Sequence, residues 1–586
     1  MTSLLAISIG PVQDFIAAAR KTRDLWFGSH MLSEVARAAA QSLAKGGAEL
    51  IFPAPDQVTA KGAIANKLLA ICDDPADSAQ RAREAAQSHL RSYRDKMLEA
   101  RRVRDAIDVD LMNRQIESFL EWAHAWVPYD EARYRECRTN VERLLAGRKA
   151  LRNFEQPNGP AGRPKSSLDP SRDSVIRDLG SSDEAIRSWL RLKGAEQLDG
   201  ISLIKRNAES ARFVSLARVA VDPLVRALDH DHAPVLERLR QIASELSADG
   251  SDLVERFPAT QGGGLAHYTA FPFDSQLFYE ETALDPSLSA GERSAAAEFQ
   301  KQLKQTKLAT APAYLAVLAA DGDGVGRLIG SIESAARHRD LSAALAAFAA
   351  AAERIVREYH GAAVYAGGDD VLAFLPLDTA LRCADTLRKE FNSSLAAFSS
   401  ADLPVSLSVG VAIGHYAENL TEFVQWARNA ERAAKEHRRS VGGRGVTKDA
   451  LAVALHTRTG GATATTVVHG WEEDPVTALW ETWVRWHVED RIPDGAAYEL
   501  RLLARELNAG ASNINGFADV LAAECGRVAK RKRASEQVIT ELLTQVGAAG
   551  TTDPLGRLRS VTDGLIVARR LAPVARFSTA SLGVAL

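Results

Sequence analysis

Two apolar runs, GAAVYA at 361–366 and VLAFLPL at 371–377, are separated only by Gly367-Gly368-Asp369-Asp370. So short a connection cannot carry a crossover, so the runs must pair as an antiparallel hairpin with a tight turn. The flanking sequence organises around that hairpin. AYLAVLA (313–319) reads as a buried strand, and ADGDGVG after it as a turn rich in Asp and Gly. Residues 327–359 carry Ala and Leu at helical spacing. A second helix is expected at 378–400, a further strand at VSLSVGVAI (405–413) and a last helix at 420–439. Strand, helix, strand, strand, helix, strand is the split βαβ, or ferredoxin-like, order.

The N-terminus repeats that order more loosely. LLAISIG (4–10) predicts a strand, roughly 11–45 a long helix, AELIFP (48–53) and NKLLAIC (66–72) a hairpin, and 76–125 further helix. Residues 135–310 mix helices with a Gly-, Pro- and Ser-rich stretch at 156–181, and the chain from 475 onward is mostly helical. The expected class is therefore α+β, with a first α/β module at 1–135 and a helical insert at 136–310. A second module spans 311–474, and a helical C-terminal domain 475–586. A length of 586 residues accommodates that many domains.

Composition sets bounds on function. With 46% hydrophobic and 25% charged residues the chain has the balance of a globular protein, and its net charge of −3 argues against a binder that works by bulk charge alone. Cys72, Cys137, Cys383 and Cys525 stand singly, without the C-x-x-C spacing of a zinc site or the density of a disulfide framework. Reduced thiols in a cytoplasm are the simplest reading. No leader peptide or membrane span is expected, because Pro11, Gln13 and Asp14 interrupt the first apolar run and no later run reaches about 18 apolar residues.

The chemistry concentrates at the hairpin turn. Asp369 and Asp370 are expected to project from it into solvent. Asp321 and Asp323 are expected just beyond the first strand of the same module, which this topology makes the hairpin's neighbour. Either acidic turn alone would be an ordinary solvated loop, but two at matching topological places point to one site. Clustered carboxylates repel unless a cation neutralises them, and hard oxygen donors suit Mg²⁺ or Mn²⁺. Two such ions could activate a ribose hydroxyl for in-line attack on a phosphate. Gly322, Gly324, Gly326, Gly367 and Gly368 would let backbone approach a phosphate chain, and Lys435 and Arg444 could neutralise leaving pyrophosphate. His230-Asp231, in ALDHDHAP, lacks further ligands at metal spacing and reads as a surface turn.

GGDD between two apolar strands resembles the palm of nucleotide cyclases and polymerases. SIGPVQDFIAAARKTRDLWFGSHMLSE (8–34) closely resembles the opening of the first palm in the large polymerase/cyclase-like subunits of type III-B CRISPR (Cmr) effector complexes, the Cas-ten family. LAADGDGVGRLIGS (318–331) and YAGGDDVLAFLPL (365–377) are similar to that family's second-palm entry and catalytic hairpin; LIKR (203–206) and LIVARRLA (565–572) also fit. The resemblance implies two facing ferredoxin-like palms with ATP between them, of which the second is catalytic. It implies two Mg²⁺ or Mn²⁺ ions held by Asp321, Asp369, Asp370 and the Gly322 carbonyl, with Asp323 assisting, and ATP joined into cyclic oligoadenylate. It also implies partners: a Cas-five-like subunit, a small helical subunit, a backbone subunit, guide crRNA and target RNA, with no membrane.

Two departures qualify it. The chain opens on the first palm, so no HD nuclease domain and no DNase activity are expected. Where relatives carry a four-cysteine zinc site, this chain reads GRPKSSLDPSRDSV (162–175) with Ser166 at a ligand position, so no zinc is expected. Joining ATP to another small molecule such as S-adenosylmethionine, a catalytically silent scaffold, and a free-standing cyclic-dinucleotide synthase are the alternatives. Intact carboxylates weigh against the scaffold, and two palms with a helical C-terminal domain against the free-standing enzyme. The basic stretch Lys530-Arg531-Lys532-Arg533 is the candidate contact with RNA or a neighbouring subunit.

Overall fold

The computed structural model describes the chain from Thr2 to Leu582 except residues 60–61, 152–158, 160, 178–183, 208–212, 258–264, 309, 401, 442–443, 459–463, 472–475, 508–515 and 548–552. The first module is built on β1 (Ser3–Gly10), β2 (Glu49–Phe52), β3 (Lys67–Cys72) and β4 (Glu121–Pro128), with sheet order β2-β3-β1-β4. Helices α1 (Thr22–Lys45) and α2 (Pro75–Leu98) follow β1 and β3, so the split βαβ arrangement holds. β4 corrects the sequence reading, which placed 121–125 in a helix. EWAHAWVP pairs antiparallel with β1 along its whole length, from Glu121↔Gly10 to Pro128↔Ser3. Its Glu, Ala and His interrupt the strand-favouring Trp122, Trp126 and Val127, and the pairing with β1 settles its conformation. The helix expected from residue 11 is also interrupted, with Gln13–Ala17 separate from α1.

Helix α3 (Tyr134–Ala150) packs on β4 and β1 and runs across the boundary expected at 135. In the insert, α4 (Gly200–Asn207) carries Lys205 and Arg206 into the interior, and α5 (Leu216–Asp231) follows. Arg206 pairs with buried Asp24 at 2.7 Å and Glu196 at 2.8 Å, while Lys205 donates to the carbonyls of Phe15 and Ala18, both at 2.7 Å. Asp24 also accepts from the backbone N–H groups of Arg20 and Lys21, which caps the start of α1. The two motifs that marked the first palm and the insert in the sequence are thus joined by one buried ionic lock.

The second module has a six-stranded sheet in the order β12-β11-β8-β5-β7-β6. Its strands are β5 (Tyr314–Asp323), β6 (Ala362–Gly367), β7 (Asp370–Leu375), β8 (Ser406–His415), β11 (Ala450–Leu455) and β12 (Thr465–Gly470); a separate hairpin joins β9 (Arg438–Val441) to β10 (Arg444–Thr447). The ferredoxin-like order 4-1-3-2 is present as β8-β5-β7-β6. β11 and β12 extend it, with β11 parallel to β8. ALAVAL escapes sequence detection because it is buried throughout and so shows no alternation. Helices α6 (Ala335–Glu358) and α7 (Ala380–Ser394) cover one face, burying Phe348, Leu387 and Phe391. Helix α8 (Leu420–Glu436) lies on the other face, against β8, β5 and β11.

Among the described residues five helices between Val476 and Leu582 form the C-terminal region, centred on the buried indoles of Trp480, Trp483 and Trp486. All four cysteines are buried and free. Among the described residues no helix is long and apolar enough to cross a membrane.

Candidate active site

The β6–β7 hairpin closes through Gly368 and Asp369, with Gly367 paired to Asp370. Gly368 has φ +68°, the left-handed conformation that the first central position of such a turn requires and glycine supplies without strain. On the neighbouring side β5 pairs antiparallel with β7, Ala320 opposite Val371, and the Gly322 N–H donates to the Asp369 carbonyl at 3.1 Å. Continuing that register sets Asp321 opposite Asp370, on one face of the sheet. Asp323, two residues along β5, shares the face.

Two expectations are corrected here. Asp321 and Asp323 do not lie beyond the strand; they are part of it, because the ladder to β8 continues through Asp321↔Ser408 to Asp323↔Ser406. Asp369 and Asp370 do not project freely into solvent. Both are half-buried, since the hairpin tip folds against the end of β5 and beside the ring of Tyr365.

Burial and crowding govern the electrostatics. Asp369 is pushed up to about 6 by burial and by the charge of Asp321. Burial pushes Asp370 to about 7; the Tyr365 hydroxyl, which donates to it at 2.8 Å, works against the rise, and Asp321 adds to it. Opposing charge comes from α8. Lys435 donates to Asp321 and lies 3.0 Å from Glu431, and although burial disfavours its charge these bonds hold its ammonium above the ordinary lysine range. Asp323 has a different character. It is 3% exposed, and its Oδ2 accepts from Ser406 at 3.0 Å, Ser408 at 2.7 Å and the Asp449 N–H at 3.0 Å. Its Oδ1 is buried without a hydrogen-bond partner among the described residues.

The glycines divide by role. A Cβ on Gly322 would meet Asp369 Cβ at 2.7 Å and Phe391 at 2.8 Å, so that glycine serves packing. Gly324 has φ +82° and a Cβ there would meet the Pro404 carbonyl at 2.7 Å. Gly326, Gly367 and Gly368 face open space, as approach of a phosphate chain requires. Arg444 opens β10 opposite Val441, and its side chain lies outside the described residues.

The carboxylates of Asp321, Asp369 and Asp370 are hard oxygen donors, the charge of Asp321 adds to the raised proton affinity of the other two, and an ammonium already bridges Asp321 to Glu431. That chemistry fits a divalent cation. No three His, Cys, Asp or Glu side chains among the described residues already converge closely enough to hold one, so the donors must draw together around the ion.

A pH dependence follows. Asp369 and Asp370 bind protons more tightly folded than unfolded. The stability they contribute is therefore present below the ordinary carboxylate range and lost as pH rises through about 6 to 7. In metal-free buffer the melting temperature of the wild type should fall by a few degrees between about pH 5 and about pH 8. Asp369→Asn with Asp370→Asn should flatten that fall, and Mg²⁺ at the higher pH should reverse it in the wild type only. An equally steep fall in the variant would contradict the assignment.

Sequence reasoning missed Tyr365, Glu431, Ser406, Ser408 and Gly410. The alternating Ser406 and Ser408, and the i,i+4 spacing of Glu431 and Lys435, were the available signals. Elsewhere, Ser166 donates to buried Asp199 at 2.7 Å, and the Ser202 hydroxyl donates to the same carboxylate, so polar hydrogen bonds knit the segment expected to have lost zinc ligands. His230 and Asp231 pair with each other at 2.6 Å at the exposed end of α5. In the basic stretch, Arg531 and Lys532 both bind Glu499, at 2.5 Å each.

Two family models match the chain: the second palm domain of Cas10/Cmr2 over residues 314–442, and the N-terminal region of the CRISPR-associated protein Cmr2 over residues 4–100. The CRISPR system Cmr subunit Cmr2 of Pyrococcus furiosus is 25% identical; the match takes in 80% of this chain and 63% of that relative, so the chain spans less than two thirds of its length. The fold is shared with a cryo-EM structure of type III-B Cmr-beta in the apo state, at a TM-score of 0.64 and 14% identity over 91% of this chain and 78% of that one. A cryo-EM structure of type III-B Cmr-beta bound to cognate target RNA gives a TM-score of 0.61 and 14% identity, over 91% and 79%. Residues 4–100 and 314–442 thus match domains of the Cas10/Cmr2 family, one in each module, and the fold around them is shared with the solved Cmr-beta relatives.

Proposed function

We propose that the acidic end of the second sheet is a metal-dependent nucleotidyltransferase site that joins ATP into cyclic oligoadenylate. The observation that carries this reading is the register that sets Asp321 opposite Asp370, with Asp369 at the turn beside them. Asp321, Asp369 and Asp370 would hold Mg²⁺ or Mn²⁺. When bound, the ions supply Lewis acidity to a ribose hydroxyl and to the phosphate it attacks. The new bond joins that oxygen to the α-phosphorus, the bond to pyrophosphate breaks, and the hydroxyl proton leaves to solvent. Open backbone at Gly326, Gly367 and Gly368 leaves room for the phosphates. Lys435 sits within reach of the charge that develops, shared meanwhile with Asp321 and Glu431. Asp323, held by three donors, acts as a positioning residue that fixes the end of β5 against β8.

In this proposal the chain works in the cytoplasm beside a Cas-five-like subunit, a small helical subunit and a backbone subunit, with guide crRNA and target RNA. Its division into a first palm, a helical insert, a second palm at 311–474 and a helical domain at 475–586 is retained. The first boundary moves from 135 to after Ala150, so that α3 stays with the sheet it covers. Of the basic stretch, Lys530 and Arg533 are the better candidates for RNA or subunit contact, because Glu499 engages the two residues between them.

Continuous turnover would consume ATP without cause, so target RNA is proposed to favour an aligned palm geometry through its differential affinity for two states. The assembled complex is to be incubated with ATP and Mg²⁺ under three conditions: no RNA, matched target, and target extended to pair with the 5′ tag of the guide. The products are then resolved by mass spectrometry. Cyclic oligoadenylate and pyrophosphate should rise at least about tenfold with matched target alone. Equal rates in all three would refute the gating, and an adenylated small molecule would replace the cyclase by the conjugation alternative.

A further inference from the structure

A cavity lies at the opposite end of the second sheet. Tyr416 follows β8, eight residues from the Ser408 that faces Asp321, which at strand rise is about 26 Å from the acidic cluster. The cavity, of about 330 Å³, opens there, where the first module, the insert and the second module meet. That is ligand-sized.

Its lining is cationic. Arg20, Lys21, Arg23, Arg191 and Lys193 all face it, against the carboxyls of Glu255, Asp274 and Glu418. Glu255 is shared by two guanidiniums, Arg23 at 2.6 Å and Arg191. Glu418 lies 3.6 Å from Arg458. Asp274 accepts from Ser215 at 2.8 Å, and burial raises its proton affinity. Arg20 lies 4.0 Å from Glu196, which is not part of the lining; within the lining itself five basic side chains stand against three carboxyls. Burial brings the Arg23 guanidinium down to about 10, opposed by the charge of Glu255, with Arg191 adding to the fall. Arg191 holds its place with φ +55°, a left-handed conformation uncommon for a residue with a side chain.

The backbone adds to the same field. Helices α1, α5 and α8, of 24, 16 and 17 residues, all begin at this cavity, through Thr22, Leu216 and Leu420. Each N-terminus presents a partial positive charge. Three such ends and five basic side chains around one hollow form an anion receptor, and the rings of Phe213 and Phe257 give it an apolar wall.

We propose that this cavity binds a nucleoside phosphate without a metal ion, as a site separate from the acidic cluster. The phosphates would lie among Arg191, Lys193 and the helix ends, and the base against the phenyl rings. Carboxylates cannot hold a polyphosphate without a cation, whereas this cavity can, so chelation separates the two sites. Binding of ADP to the full chain is to be measured by calorimetry in EDTA. Inorganic pyrophosphate and adenosine serve as competitors. ADP should bind, pyrophosphate should compete, and adenosine should not. Arg191→Ala with Lys193→Ala should weaken binding at least about tenfold. Lys193→Glu, a change at an exposed residue that leaves folding untouched, should weaken it severalfold. Asp369→Ala with Asp370→Ala should leave it unchanged. No metal-free binding, binding indifferent to both basic variants, or binding lost in the acidic variant would overturn the proposal. ADP binding no tighter than pyrophosphate would overturn its nucleoside part.

Discussion

Asp369→Ala combined with Asp370→Ala is expected to lower product formation from ATP by about 10²–10³-fold or more, the scale on which loss of charge stabilisation in a transition state is felt. The chain should still fold and join its complex. Neither side chain fills a core position, and each carries a carboxyl that burial and Asp321 make costly to ionise. Removing both relieves that crowding, so above neutral pH the variant should melt no lower than the wild type in metal-free buffer. Turnover assays on the complex, with melting curves on the same preparations, check both halves. Undiminished turnover would remove the site from this hairpin, and a collapsed fold would mean that the two residues serve stability.

The second large effect is expected at a residue without a functional group. Gly410 lies mid-strand in β8, where α8 crosses so closely that a Cβ would stand 2.0 Å from the Glu431 backbone nitrogen and 2.6 Å from the Ala427 carbonyl. Both neighbours are backbone, so no rotamer change can relieve the clash, and the helix must move. Ala427, Ala430 and Ala434 are the buried residues that make so close an approach possible. Gly410→Val should cost about 3 kcal/mol or more, at or beyond the usual range for overpacking. It should also carry Lys435 away from Asp321, lowering turnover even at temperatures where the chain stays folded. Denaturant titration and activity on one preparation measure the two consequences. A variant as stable and active as the wild type would show that α8 is not seated as described.

The contrast between these two sites shows what the sequence made legible. The GGDD hairpin could be read because two apolar runs with only four residues between them admit only one pairing, and the acidic residues followed from it. Facing of Asp321 and Asp370 could not be read, since register depends on which residue of β5 meets which of β7. The sequence placed Asp369 and Asp370 in solvent because turns usually are exposed. Their burial comes from Tyr365 and from the end of β5, contacts that only the folded sheet creates. Asp323 looked like a twin of Asp321, yet Ser406 and Ser408, more than 80 positions away, give its Oδ2 a set of hydrogen bonds that the sequence does not announce. Strands β4 and β11 were lost for different reasons: in one, Glu, Ala and His dilute the strand-favouring Trp and Val, and the other is buried on both faces and lacks alternation. Lys435 was singled out in the sequence as a cation for the site, but its i−4 neighbour Glu431 and its bond to Asp321 belong to the tertiary fold.

The central claim, that Asp321, Asp369 and Asp370 form one metal site for nucleotide chemistry, is tested most directly by Mn²⁺ titration of the full chain. Binding is followed by electron paramagnetic resonance with a non-hydrolysable ATP analogue present. The account predicts two ions per chain close enough to couple magnetically, at about 3.5–4 Å as in two-metal transfer sites. Coupling should be lost in Asp321→Asn and in Asp369→Asn, while Asp323→Asn changes it far less. Uncoupled or absent Mn²⁺ in the wild type, or coupling that survives both of the first two substitutions, would contradict it.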